Sequence, residues 1–256
     1  MKNSIIITGD FKERYLPTTI ESCINQSIKP YEIILIYNNL NNENLLKKKF
    51  TKKIKFIKTN EKLKNPLQDQ LNKIRIAAQH CKGEIILFCD GDDFFCKNKI
   101  KIINTNFNNL NGILLHNFKI KKKNKFYSIS DKLYKKNYFF KKFFNSWPDK
   151  ITTSAIAISK RNLDNFFNKH KIINYQFLAI DALLAIFYLK KIKFLNEILM
   201  IKNEDDKNRV DLNYIKNLKN YIKRRIEQHE YFSVIHNEKK KLEYFILKII
   251  NYCRLF

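Results

Sequence analysis

Glu84-Ile85-Ile86-Leu87-Phe88-Cys89-Asp90-Gly91-Asp92-Asp93 is the stretch on which the fold of this chain turns. Its apolar run has no polar alternation, so it reads as a strand buried on both faces, as in the middle of a parallel sheet. Gly91 allows a sharp backbone turn where the run stops. Three carboxylates then follow at the carboxyl end of the strand, where open α/β sheets place their ligands. Like charges crowded together are unfavourable unless something positive holds them, and a divalent cation with oxygen ligands is the natural partner. A cation in that position usually holds phosphates, which points to an enzyme acting on a nucleotide diphosphate.

The rhythm on either side of the acidic strand agrees. Ser4–Thr8, Glu32–Ile36 and Ile54–Lys58 are short apolar strands, the second running into a polar loop of Asn38, Asn39, Asn41, Asn42 and Asn44. Between them, Tyr15–Ser27 repeats Leu16, Ile20, Cys23 and Ile24 at helical spacing. Pro66 opens a second helix carrying Leu67, Leu71, Ile74, Ala78 and Cys81 on one face, with Gly83 expected at its C-terminal cap. Alternation of this kind predicts an α/β protein with a doubly wound, mostly parallel sheet. Lys97–Leu110 reads as a helix and Gly112–Ile120 as a strand, after which the pattern degrades through 119–146. Order returns with a strand at Thr152–Ser159, helices at Arg161–Asn168 and Ile180–Leu189, and a strand at Ile192–Ile201. Two basic amphipathic helices follow Asp211. The boundary is expected near residue 205, with 1–205 as the α/β domain and 206–256 as a helical extension.

Composition excludes several classes. Hydrophobic residues make up 45% of the 256, with 21 Phe and 13 Tyr, enough for a sizeable core and against a disordered chain. Four Gly and four Pro are too few for a turn-rich β-sandwich. Five Cys form no CxxC pair and no zinc spacing, an odd set that fits reduced thiols in a cytoplasm. No apolar run is long enough to cross a bilayer. The net charge of +26 invites a nucleic-acid reading. The lysines are spread along the whole chain, however, and no nucleic-acid module accompanies them. A solvated basic surface that can be drawn to anionic lipid is the preferred reading.

With those elements in order, the chain resembles glycosyltransferase family 2, the inverting enzymes of the GT-A fold. The resemblance rests on Ser4-Ile5-Ile6-Ile7, Tyr15-Leu16-Pro17, Thr19-Ile20-Glu21-Ser22, Asn25-Gln26-Ser27 and Tyr31-Glu32-Ile33-Ile34. It continues with Lys82-Gly83-Glu84-Ile85-Ile86 before Asp90-Gly91-Asp92-Asp93 (the family's DxD signature), then Thr153-Ser154, Ser159-Lys160-Arg161 and the helix from Asp181. It implies a nucleotide-sugar donor, UDP being the expected nucleotide, and a Mn²⁺ or Mg²⁺ ion to stabilise the departing diphosphate. Asp90 and Gly91 would meet the donor, and Asp92 with Asp93 would reach the metal; a structural Ca²⁺ site or an exposed acidic turn is the alternative for these acids.

The resemblance further implies a carboxylate base at the helix that Asp181 begins. The family's usual glutamate there is Ile180, and Asp181 would equally serve as a helix cap. Asp149 is the alternative base, and Trp147 beside it would either stack on an acceptor sugar or pack in the core. The nucleotide-binding loops also depart from the family. Thr8-Gly9-Asp10 replaces Pro-Thr, and Asn38-Asn39 replaces an acid pair, leaving Thr8, Asp10, Asn38 and Asn39 as donor contacts of altered chemistry. Arg75 would answer a phosphate or be a solvated helix residue. The expected acceptor is a growing surface glycan or glycolipid such as lipooligosaccharide or capsule, reached from the cytoplasm and the inner face of the membrane. The competing readings are a non-catalytic basic adaptor and a family member that kept the fold and lost turnover.

Overall fold

The computed structural model describes residues 1–9, 14–60, 62–108, 110–123, 125–128, 147–148, 151–169, 175–204 and 217–253. Its centre is a sheet in the order β3-β2-β1-β4-β8-β6-β9-β5. Strands β1 (Asn3–Thr8), β2 (Glu32–Tyr37), β3 (Lys55–Lys58) and β4 (Ile85–Asp90) form a parallel half, with Ile5 opposite Ile33 on one side and Leu87 on the other. Beyond β4 the direction is mixed. β8 (Ile156–Ser159) runs antiparallel to both β4 and β6 (Ile113–Lys122). β9 (Ile192–Asn203) is parallel to β6, and the short β5 (Phe94–Phe95) closes the far edge against it. β7 (Lys125–Ser128) pairs with the outer part of β6. The α/β class and the GT-A-type arrangement thus hold, with parallel pairing confined to the first half and one later pair.

The unbroken apolar runs have a direct explanation in the core. Successive residues of a strand point to opposite faces. On β1 and β4, Ile5, Ile7, Leu87 and Cys89 enter one cluster while Ile6, Ile86 and Phe88 enter the other. Each face needs a layer of helices to cover it. α1 (Leu16–Ile24) and α4 (Lys99–Asn106) supply Leu16, Ile20, Ile100 and Ile103 to the first. The second receives Ile74 and Ala77 from α3 (Pro66–His80), Leu163 and Phe166 from α5 (Lys160–Lys169), and Leu183 and Leu184 from α6 (Ile180–Phe187). Each Leu, Ile or Phe among them taken from water contributes about 1.5–3 kcal/mol.

Two local expectations change. The polar loop after β2 becomes a helix, α2 (Glu43–Phe50), whose Leu46 and Phe50 are buried one turn apart. Only these two of its three apolar residues are buried, Leu45 being exposed among the Asn and Lys, and the Glu43–Lys47 pair at 2.7 Å supports the helix. Gly83 is not a left-handed helix cap, since no glycine has positive φ and the cap of α3 is Cys81 in extended conformation. Gly83 is required by crowding instead: a Cβ there would lie 2.6 Å from the backbone nitrogen of Ser4. Gly91 likewise turns without positive φ.

The two C-terminal helices behave differently. α7 (Leu218–His236) inserts Tyr231 and Phe232 into the second core cluster. α8 (Leu242–Tyr252) packs on α7, with Tyr244, Leu247 and Ile250 against Ile222 and Ile226. Trp147 sits under α7, its ring 5.3 Å from Phe232 and 5.0 Å from His229. Replacing Phe232 by Ala is expected to destabilise the protein by about 3–5 kcal/mol. Urea unfolding followed by the emission of the single tryptophan, which should also red-shift in the folded variant, measures it.

Candidate active site at the carboxyl edge of the sheet

Because β1, β2 and β4 are parallel, Thr8, Tyr37 and Asp90 all finish at one edge, with Thr8 directly opposite Asp90. β8 begins at that same edge because it is antiparallel, and β9 ends there. Asp90 is consequently gripped from several elements. Its Oδ1 accepts from Gln70 Nε2 of α3 at 2.8 Å and from Thr8 Oγ1 at 3.4 Å, and its backbone N–H donates to Ser154 Oγ at 2.8 Å. The turn that follows is tied down too. Gly91 N–H donates to the Thr8 carbonyl at 2.9 Å, Thr19 Oγ1 donates to the Gly91 carbonyl at 3.0 Å, and Asp93 N–H closes back on the Asp90 carbonyl at 2.9 Å.

The three acids do not point the same way. Asp93 turns inward and is 2% exposed; its Oδ1 accepts the Asn203 N–H at 3.1 Å, while Oδ2 is buried with no hydrogen bond among the described residues. Burial raises its carboxyl well above the usual range, and the neighbouring Asp90 and Asp92 raise it further, against a smaller pull from Ser154 and Lys202. Asp92 is buried within the same turn. Beneath it lies an unexpected cation. The fully buried Lys99 donates from Nζ to the Ser154 carbonyl at 2.6 Å and stands 3.5 Å from the centre of the Phe95 ring. Burial lowers its ammonium to about 8, although Cys89, Cys23 and Asp93 favour the charged form. Lys99 fastens the residue that receives the Asp90 N–H.

The other expected residues divide between this edge and elsewhere. Asn38 lies at the end of β2, where its Nδ2 donates to Thr59 Oγ1 at 2.5 Å, and Asn39 is exposed beside it. Arg75 is exposed farther along α3 and donates to Asn72 at 2.8 Å, well past Gln70 and away from the acids. Asp181 is buried in the first turn of α6, its Oδ1 accepting from Ala182 N–H at 2.6 Å. The approach to α6 docks on the first turn of α3: Asn65 donates to the Gln176 carbonyl at 2.7 Å and Gln68 to the Tyr175 carbonyl. That first turn is one turn from Gln70, so the segment leading into α6 docks near the helix end that reaches Asp90. Trp147 is 1% exposed and its ring belongs to the core, the second of the two expected fates. Asp10 and Asp149 lie outside the described residues.

Gln70, Ser154, Lys99 and Asn203 are the residues the sequence did not single out. Only Ser154 lay in a motif, and the rest are ordinary polar residues until the sheet closes. No group of three or more His, Cys, Asp or Glu side chains is arranged to hold a metal among the described residues. The 550 Å³ surface hollow lined by Glu32, Lys47 and Lys53 sits at the opposite, amino-terminal end of β2.

A sequence model described as Glycosyl transferase family 2 matches residues 4–167, more than half of the chain. The chain belongs to that family. It is a glycosyltransferase of the nucleotide-sugar-using kind, and the matched region contains the acidic turn, α3 and Ser154. Among solved structures, S. aureus TarS 1–349 in complex with UDP aligns with 100% of this chain and 71% of its own at a TM-score of 0.64 and 14% identity. TarS 1–349 in complex with UDP-GlcNAc aligns over 93% and 72% at 0.60 and 14% identity. At that identity the likeness shows the GT-A-like fold alone. No curated protein matches the sequence. Among the described residues no helix is long and apolar enough to cross a membrane.

Asp93 provides a test of the electrostatics. Its folded pKa is raised, so the stability contributed by its proton is full below the unfolded value near 4 and is lost as pH rises through the folded value. Asp93→Asn removes that dependence while keeping an acceptor for Asn203. In EDTA the variant should melt roughly 2–6 °C above the native protein at pH 7.5. Calorimetry should find the gain shrinking toward pH 4.

Proposed function

We propose that this family 2 glycosyltransferase moves a hexose or N-acetylhexosamine from a UDP-sugar to a growing surface glycan, with inversion at the anomeric carbon. The observation that carries the reading is Asp90, clamped by Gln70, Thr8 and Ser154 at the end of a buried strand, with Asp92 two residues on. The UDP and UDP-GlcNAc named with the TarS structures support the choice of nucleotide. The proposed catalytic unit is 1–205, and 206–256 an attached helical extension. Lipooligosaccharide or capsule is the proposed acceptor class, met in the cytoplasm at the inner face of the membrane.

The acids fit a divalent cation. A Mg²⁺-type site takes one or two carboxylates and completes its shell with phosphate oxygens and water, so a three-acid cage is not required. Asp92 would hold the ion with Asp90 beside it. Asp93, whose Oδ2 is buried without a hydrogen bond among the described residues, would support them from behind. Bound there, Mn²⁺ or Mg²⁺ would offset the charge that appears on the diphosphate as it leaves.

The chain's own residues do the remainder. Asn38 and Asn39 offer amide donors and acceptors to the nucleotide, with Thr8 at the neighbouring strand end, Asp10 two residues on in sequence, and Arg75 a more distant candidate. Asp181 takes the proton from the acceptor hydroxyl as its oxygen bonds to the anomeric carbon and the bond to the diphosphate breaks. Asp149 is the alternative base.

Asp92→Ala should abolish transfer and the stabilisation by UDP-sugar plus Mn²⁺ while leaving the circular dichroism unchanged. Full metal-dependent activity in that variant would overturn the site. Asp181→Asn should lower kcat about 10²–10⁴-fold with little change in donor KM. A loss of that size in Asp149→Asn instead, with Asp181→Asn unaffected, moves the base to Asp149.

A further inference from the structure

α8 is apolar nearly all round, and only one of its faces is used. The inward face carries Tyr244, Leu247 and Ile250 onto α7. Glu243 adds a clamp, since its two oxygens accept from Arg225 Nη2 at 2.6 and 2.8 Å and its Oε2 lies 3.2 Å from His229 Nε2. Burial pushes the Glu243 carboxyl up, yet His229 and Arg225 together hold it down at about 2. The helix therefore cannot roll to hide its other side. That side presents Leu242, Phe245 (54% exposed), Ile246, Ile249 (62%) and Tyr252 (87%) to solvent. At 100° per residue these five positions fall within about a third of the helix circumference.

A row of large apolar side chains held outward is normally covered. The chemistry of its rim says by what. Lys239, Lys240 and Lys241 precede the helix, Lys248 borders the stripe while 3.2 Å from Glu230 of α7, and the acid on this helix, Glu243, is engaged with Arg225 on the inward face. The chain as a whole carries +26. A second copy seated here would press lysine against lysine. An anionic lipid surface satisfies both features, taking the apolar stripe at the acyl boundary and the lysines among its phosphates.

We infer that the outward face of α8 is a membrane-docking surface that seats the enzyme flat on anionic lipid. This deepens the proposed placement at the membrane but does not depend on the transfer reaction, because docking needs neither donor nor metal.

The test is co-sedimentation of the full chain with vesicles of phosphatidylglycerol and phosphatidylcholine, and with vesicles of phosphatidylcholine alone, at low and high salt. The native protein should bind the anionic vesicles at least tenfold more tightly, losing most of that in 0.5 M salt (roughly three times the physiological ionic strength). Phe245→Asp with Ile249→Asp should abolish binding, with circular dichroism and any measured transferase activity toward a soluble acceptor unchanged. Unchanged vesicle binding in the double variant overturns the inference. So does absence of binding in the native protein, or a native dimer in light scattering that the double variant breaks while vesicles are ignored. Loss of activity in Asp92→Ala leaves this outcome untouched, so the two readings fail separately.

Discussion

The rest of the site hangs on holding a carboxylate at the end of a strand that has no solvent on either face. Asp90 follows five buried residues of β4, and its position is fixed by the register with β1 rather than by its own surroundings. Water does not reach the strand flanks, so neighbouring elements must supply hydrogen-bond partners. Gln70 donates from a helix on one face and Thr8 from the adjacent strand, while Ser154, in the turn before β8, accepts the Asp90 N–H. Each partner belongs to a different element, which makes the acid's geometry a property of the assembled sheet. A half-buried carboxylate with partners of this kind is held in place, since each partner restrains it from a different direction.

Charge balance follows from the same burial. Asp90, Asp92 and Asp93 crowd one turn, and Asp93 answers by favouring its protonated form. Lys99, placed at the start of α4 directly after the short β5, lies under that turn without contacting solvent. Its ammonium is stabilised by the Ser154 carbonyl and the Phe95 ring. The arrangement keeps a positive charge near the acids. The mixed second half of the sheet is what makes it possible, because the reversed β8 begins, and β9 ends, at the edge where the parallel strands finish.

The acidic strand, the helices α1, α3 and α6, and the family resemblance were legible because they depend on local periodicity and on motifs read in order. α2 was not, since two buried residues in a lysine- and asparagine-rich stretch do not make a pattern. Trp147 illustrates a different limit. Beside Pro148 it looks equally suited to a sugar or a core, and only the arrival of α7, more than seventy residues later in the chain, covers its ring. Arg75 and Gln70 share one helix and similar polarity. Their separation of five residues turns one toward the acids and the other to solvent.

What the sequence determined by itself is the alternation of strands and helices, the two-faced burial of β4 and the gathering of three acids where it ends. These follow from the order of apolar and charged residues along a few turns of chain. Tertiary structure alone decided which acid turns inward, which partners hold Asp90, where the compensating lysine lies, and which side of α8 stays bare. Each of these depends on contacts between segments tens of residues apart, whose distances are set by sheet register and helix packing and leave no mark in local composition.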